Sequence, residues 1–211
     1  MFEQFSKFFN VPPLKEPNES DVRTFNDLQR NTKGFCELFG SYNGVSFGEG
    51  LYRLHDISKI NFWDDIITQA FPEFSGRISC FGYDWLGRQF ALDKERVHDG
   101  QPHILMFEPG TGEVLEIPCN FIDFHNDEIP NYHDACLASN FFAVWKSKNN
   151  LVLNKTECAG YKVLLFLGGQ DVVENLEKND MEVYWYICSQ LIQQMKHTPE
   201  GTIIKNIGID Y

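Results

Sequence analysis

The sequence lacks the closely spaced residue pairs that mark most metal centres and redox sites. No Cys-x-x-Cys or His-Glu-x-x-His segment occurs, and His125 and His133 are eight positions apart. Zinc sites in ribbons and proteases usually depend on such pairs, because neighbouring ligands have to reach one ion. We therefore expect no metal. The six cysteines stand alone and are interpreted as free thiols in a reducing compartment, at positions 36, 80, 119, 136, 158 and 188.

Positive charge is also scarce. Eighteen Lys and Arg side chains stand against 30 Asp and Glu side chains, which gives a formal net charge of −12. Such a field repels nucleic-acid phosphates, so we expect no nucleic acid among the partners. The same field attracts basic proteins and raises their encounter rate. Solubility alone also explains an acidic surface, so the charge selects no particular partner.

Long apolar runs are absent as well. No apolar segment reaches the length of about 18 residues that a membrane-spanning helix needs. The first ten residues, MFEQFSKFFN, contain no basic stretch followed by an apolar run, so they do not resemble a secretory signal. We expect a soluble, cytoplasmic protein with no membrane partner.

Three glycine-rich segments do not fit a phosphate-binding or dinucleotide-binding loop. Such a loop needs open amides at the start of a helix and no competing acid. Here Glu49 lies between two glycines, a carboxylate stands at each end of Glu108–Glu113, and Asp171 follows Gly168-Gly169. We expect no cofactor and identify no catalytic constellation. Pairs of scattered acids are interpreted as surface residues.

The middle of the chain predicts a β-meander. Apolar residues alternate in four short segments, and Tyr83–Gly87, Asp99-Gly100 and Glu108–Glu113 supply turn residues between them. The segments are Ile78–Phe81, Arg88–Asp93, Ile104–Phe107 and Val114–Ile117. With 211 residues and 19 Phe, the chain has ample material for a core. We predict an α+β fold with an antiparallel meander sheet flanked by helices.

Helices are predicted on both sides of the meander in the sequence. The spacing of phenylalanines in Phe2–Asn10 indicates an amphipathic helix, which either docks on the core or binds a partner. Asn61–Ala70 is interpreted as a short helix or loop with Asp64 and Asp65 pointing outward. A turn-rich connector, Phe121–Asn131, precedes a helix over Tyr132–Lys146.

The last sixty residues predict a smaller α+β unit. Lys146–Asn150 is interpreted as a hinge, so we divide the chain into residues 1–146 and 147–211. A continuous apolar run, Tyr161–Leu167, predicts a strand, and Asp180 is a plausible N-cap for a helix over Met181–Met195. Residues 202–210 are expected to add a terminal strand.

Several segments resemble a known family. Those at 39–56 (FGSYNGVSFGEGLYRLHD), 81–93 (FGYDWLGRQFALD) and 104–118 (ILMFEPGTGEVLEIP) are similar to the GAD-like domain. The segment at 166–185 (FLGGQDVVENLEKNDMEVYW) resembles the small domain that accompanies it. Proteins of this kind are identified as immunity proteins of type VI secretion systems, and their layout is similar to that of the SUKH superfamily.

The resemblance implies a stoichiometric toxin inhibitor with no catalytic site, and the acidic charge fits such a role against a basic toxin, with a nuclease as one expected class. For the toxin-binding face we suggest Asp64, Asp65, Tyr83, Asp84 and Trp85. Trp85 could instead fold back and cap the sheet, which is the more common arrangement. Two other functions are considered: a regulatory or scaffold protein like some SUKH members, and an enzyme whose site is assembled from scattered acids and histidines.

Overall fold

The computed structural model describes residues 1–14 and 25–196. It has an α+β fold in which one six-stranded antiparallel sheet is flanked by helices, with a two-stranded sheet near the C-terminal end. The predicted fold class is therefore confirmed. The expected terminal strand over residues 202–210 lies outside the described residues.

The large sheet is a meander whose strands lie side by side in sequence order. All four predicted strands are present, and a short hairpin adds two more at one edge. The strands are β1 (Ser46–Phe47), β2 (Tyr52–Leu54), β3 (Ile78–Asp84), β4 (Gln89–His98), β5 (Gln101–Glu108) and β6 (Glu113–Asn120).

The predicted turns set the register of the meander. Asp99 and Gly100 both have positive φ, 51° and 72°, and they connect the paired residues His98 and Gln101. This is the left-handed two-residue geometry that suits a tight hairpin. In the next hairpin, Glu108 pairs with Glu113. The predicted meander is therefore confirmed together with its turns.

Helices surround the sheet on the remaining sides. Within the described residues, four α-helices precede the central strands: α1 (Glu3–Phe8), α2 (Asp27–Asn31), α3 (Phe35–Tyr42) and α4 (Ile60–Ala70). Phe2 and Phe5 are fully buried, and the Phe5 ring contacts those of Phe47 and Tyr52. The phenylalanine stripe at the N-terminus therefore docks on the core of its own chain.

The segment after β6 differs from the prediction. Residues 121–137 are helical rather than a connector: α5 (Phe121–Asp123) leads through a π-helical turn (Phe124–Glu128) into α6 (Ile129–Leu137). The helix expected over 132–146 is broken, because Ala138 adopts a left-handed conformation with φ 49° and ψ 45°. A separate helix, α7 (Ser139–Asn149), follows.

The described part of the C-terminal unit contains β7 (Glu157–Tyr161), β8 (Leu176–Asp180) and α8 (Met181–Lys196). The predicted helix is confirmed, and the Asp180 carboxylate accepts a hydrogen bond from Val183 N at 3.0 Å. The predicted strand over 161–167 is wrong. Tyr161 ends β7, and Leu165–Leu167 forms a 3₁₀ turn. The prediction failed because a continuous apolar run does not distinguish a strand from another buried segment.

The C-terminal unit packs on the meander and shares its hydrophobic core. Helix α8 lies against α4 as well as against β7 and β8. The division at residue 146 into two domains stays a prediction, since packing does not reveal whether each part folds alone.

Candidate functional site

The turn between β3 and β4, residues 84–88, is the central turn of the structure. The Asp84 carboxylate accepts hydrogen bonds from the backbone N–H groups of Leu86 and Arg88, each at 3.0 Å. Gly87 has φ 80°, a conformation that favours glycine, and a Cβ there would lie 3.2 Å from Cys158 Sγ. The local sequence Asp-Trp-Leu-Gly therefore closes a tight turn that is stabilised by its own first residue.

A buried ion pair stabilises the central turn. The Arg88 guanidinium lies 2.6 Å from Asp84 Oδ2 and 3.7 Å from Glu108 Oε2, and it donates to the backbone oxygen of Cys136 at 3.0 Å. Burial raises the pKa of Asp84, although Arg88 opposes this change. Burial also raises the pKa of Glu108 to about 7, again against the influence of Arg88. Such a pair supports the fold only while both partners remain, because a lone buried charge is costly.

The backbone and side chains of the central turn connect it to two other parts of the molecule. Trp85 Nε1 donates to the oxygen of Leu137 at 2.9 Å, which joins the turn to the end of α6. Ala159 N donates to the oxygen of Trp85 at 2.8 Å, and Trp185 Nε1 donates to the oxygen of Gly87 at 2.7 Å. The central turn thus holds the meander, the 121–137 helical segment and the C-terminal unit together.

Three of the suggested partner-binding residues belong to this buried assembly. Tyr83, Asp84 and Trp85 are 4%, 0% and 0% exposed, and the Tyr83 hydroxyl donates to the oxygen of Lys155 at 2.7 Å. Trp85 folds back into the core, which is the more common of the two arrangements considered for it. Contact between these residues and a partner protein stays a prediction, although their side chains form hydrogen bonds within this chain.

The other two suggested residues lie apart from the central turn, on α4. Asp65 is exposed, as predicted, but Asp64 is partly buried. Its carboxylate accepts a hydrogen bond from Cys80 N at 2.6 Å and so connects α4 to β3. Burial raises the pKa of Asp64 to about 7, although the Cys80 amide opposes this change. Asp64 is therefore a structural carboxyl group, and the expectation that it points outward is wrong.

The buried histidines also have structural partners. His125 lies between the Tyr52 hydroxyl and the oxygen of Phe121, each 2.8 Å from a ring nitrogen. His55 Nε2 lies 2.7 Å from the side-chain oxygen of Gln89. Burial lowers the pKa of both imidazoles to about 3, so they are neutral at physiological pH. Within residues 1–14 and 25–196, no group of three His, Cys, Asp or Glu side chains could hold a metal ion.

One motif was missed by the sequence reasoning. Gly44-Val45-Ser46-Phe47-Gly48 has the Gly-x-Ser-x-Gly spacing of a hydrolase nucleophile elbow. In the structure, Ser46 lies on the edge strand β1, where it pairs antiparallel with Arg53 of β2. A nucleophile elbow is a strained turn from a strand into an α-helix at the top of the sheet. The surroundings of Ser46 therefore do not match that motif.

An apolar groove lies between α4 and α8. We call it the α4–α8 groove; it has a volume of about 380 Å³ and is lined by Phe62, Ile66, Gln69, Glu182, Val183 and Tyr186. The groove could not be predicted from the sequence, because the two helices that form it are about 120 residues apart. A second, more polar pocket of about 330 Å³ lies near the β4–β5 turn and includes Lys33, His98 and His103.

No helix within residues 1–14 and 25–196 is long and apolar enough to cross a membrane.

Comparison with known families matches the C-terminal part of the chain. Residues 120–192 match the family "T6SS immunity protein Tdi1, C-terminal", a range that runs from the end of β6 into α8. The match confirms the predicted resemblance to type VI secretion immunity proteins.

The fold has a solved counterpart. The crystal structure of Atu4351 from Agrobacterium tumefaciens aligns with a TM-score of 0.59 at 15% identity, over 90% of this chain and 89% of that chain. At this identity the likeness supports the fold alone. No curated protein shows significant sequence similarity to this chain.

Proposed function

We propose that this protein is an immunity protein that binds and neutralises a cognate type VI secretion effector in the cytoplasm. The observation that carries the proposal is the family match over residues 120–192. The matched segment includes α6, α7 and most of α8, so it contributes both to the central core and to the outer surface.

The proposed mechanism is stoichiometric occlusion. A bound immunity protein covers a functional face of its effector, and this needs a surface that changes little on binding. The buried Asp84–Arg88 pair and the hydrogen bonds of the central turn support such a rigid scaffold. The net charge of −12 favours a basic effector domain, since opposite charges raise the association rate.

Within this proposal we expect the effector to be a nuclease. Enzymes that bind nucleic acid present basic surfaces to the phosphates. An acidic protein can compete for such a surface, and this chain carries 30 acidic side chains against 18 basic ones. We further propose that the chain acts without catalysis, because the carboxyls with raised pKa near the core, Asp64, Asp84 and Glu108, lie beside internal partners.

The proposal is tested by co-expression in a sensitive host. A candidate effector that is chosen from the genes next to this one is expressed alone or together with this chain, and survival is measured. We expect rescue and a complex of defined stoichiometry on size-exclusion chromatography. If cells die equally with and without this chain, and no complex forms, the immunity function is contradicted.

A further inference from the structure

We infer that the α4–α8 groove is the face on which the effector docks, and that its occupant is a basic segment of the effector that carries apolar side chains. This inference rests on the proposed function and adds the location of the interface and the chemistry of the partner.

The first argument is apolar exposure. Phe62 on α4 and Val183 and Tyr186 on α8 are 37%, 55% and 44% exposed, and all three line the same groove. Ile66, one turn after Phe62, is 8% exposed and lines the groove as well. Single exposed apolar residues are ordinary, but a cluster around a concave surface marks an interaction site.

The second argument is charge. Glu182 lines the groove on the α8 side, and Asp65 lies on α4 one turn from both Phe62 and Gln69. Both carboxylates are exposed, and so is Asp180 at the start of α8. Lys59, whose ammonium lies 5.6 Å from the Phe62 ring centre, contributes a basic group near α4. The three acids outnumber it, and the whole chain is acidic, so the groove complements a basic partner.

The third argument is that the groove is preformed. Its two helices are tied together at their C-terminal ends, where Gln193 Nε2 donates to the oxygen of Ala70 at 2.6 Å and Lys196 Nζ lies 3.0 Å from Glu73. Asp64 fixes α4 to β3, and Trp185 fixes α8 to the central turn. A surface that is already ordered loses little conformational entropy on binding, which favours affinity.

The groove is suited to a small number of anchor side chains. Binding energy at protein interfaces concentrates in a few apolar residues that are surrounded by polar contacts. The apolar lining with Asp65 and Glu182 beside it has this arrangement. We therefore expect apolar side chains of the effector in the groove and lysine or arginine side chains beside the two carboxylates.

The probe is a purified candidate effector that is chosen from the genes next to this one, and its affinity for the full chain is measured by calorimetry. Val183→Lys places a positive charge among the apolar side chains of the groove, where it repels a basic occupant, and the 55% exposed position leaves room for the longer side chain. Val144→Lys on α7 is the matched control, because Val144 is exposed and lies outside the groove lining. We expect Val183→Lys to weaken binding at least about tenfold, as for an interface anchor, and Val144→Lys to leave it nearly unchanged.

The outcomes separate the two proposals. If the unmodified chain binds the effector and Val183→Lys binds equally well, the groove is not the interface, while the immunity function stands. If the unmodified chain does not bind, both proposals are overturned. Light scattering of the chain alone tests another occupant: a dimer that Val183→Lys dissociates assigns the groove to a second copy and overturns the inference.

Discussion

The indole Nε1–H of Trp85 donates a hydrogen bond to the main-chain oxygen of Leu137, 2.9 Å away, and both residues are fully buried. Leu137 is the last residue of α6 and precedes Ala138, whose left-handed conformation ends the helix. Carbonyls at the end of a helix have no partner within it and need one elsewhere. The central turn provides that partner, so a β-turn and a helix terminus 52 positions apart stabilise each other.

Removal of the Asp84 carboxylate should destabilise the protein strongly. Asp84→Ala leaves the buried Arg88 guanidinium with the more distant Glu108 as its acidic partner, and we expect a loss of about 3–5 kcal/mol. The free energy of unfolding in urea measures it. Asp65→Ala on the exposed face of α4 is the control, with an expected change within about 0.5 kcal/mol. Equal stabilities of the two variants would contradict the structural role of the pair.

Truncation in α8 should also be costly. Leu191 is 7% exposed on the helix that packs against α4, so Leu191→Ala should lower the free energy of unfolding by about 2–5 kcal/mol. Val183→Ala, at a 55% exposed position of the same helix, serves as the control for helix propensity. A negligible loss for Leu191→Ala in urea unfolding would show that α8 is not part of the core.

The meander could be predicted because its signals are local. Alternating apolar residues and the Asp99-Gly100 turn lie within a few positions of each other, and they specify strands and turns together. The role of the central turn could not be predicted, because its partners Leu137 and Trp185 are 52 and 98 positions away.

The break between α6 and α7 at Ala138 could not be predicted from the sequence either. Alanine is the best helix former, and nothing in its neighbourhood is a helix breaker. In the structure the Asp134 carboxylate accepts from Asn140 N at 2.9 Å, and His133 contacts the Ser139 hydroxyl. These contacts stabilise a new helix start, and with the buried end of α6 they outweigh the local preference of alanine.

Stability should depend on pH through Asp64. Its pKa is raised to about 7 in the folded protein, whereas an unfolded Asp has a pKa of about 3.9. The folded state therefore binds this proton more tightly. The contribution of the protonated Asp64 to the free energy of unfolding is full below about pH 4 and is lost as the pH rises through about 7.

Asp64→Asn should remove this dependence while keeping an oxygen for the Cys80 amide. We expect the free energy of unfolding of the unmodified protein to fall more between pH 5 and pH 8 than that of the variant. Glu108 has a similarly raised pKa, but it is present in both proteins, so its effect cancels in the comparison. Identical changes in the two proteins would contradict the assignment.

The cysteines should behave as six slowly reacting thiols. No disulfide is formed among them in the structure. Burial raises the pKa of Cys136 and Cys188 to about 12 and raises that of Cys80 well above its usual range, so little reactive thiolate is present near neutral pH. Thiol titration under non-reducing conditions should count six in denaturant and react more slowly in the native protein. Two missing thiols in fresh protein would reveal a disulfide.

Association with the effector should depend on salt through exposed acids. Charge steering acts before contact, so added salt should lower the association rate far more than it raises the dissociation rate. Asp65→Lys should lower the association rate and weaken its salt dependence, because Asp65 is exposed beside the α4–α8 groove. Glu113→Lys on β6, also exposed, makes the same change of net charge outside the groove lining and is the matched control.

Surface plasmon resonance with immobilised effector, over a series of salt concentrations, measures both rates. Equal losses for the two variants would mean that only the net charge steers the encounter, and a rate that does not change with salt would remove electrostatic steering from the mechanism.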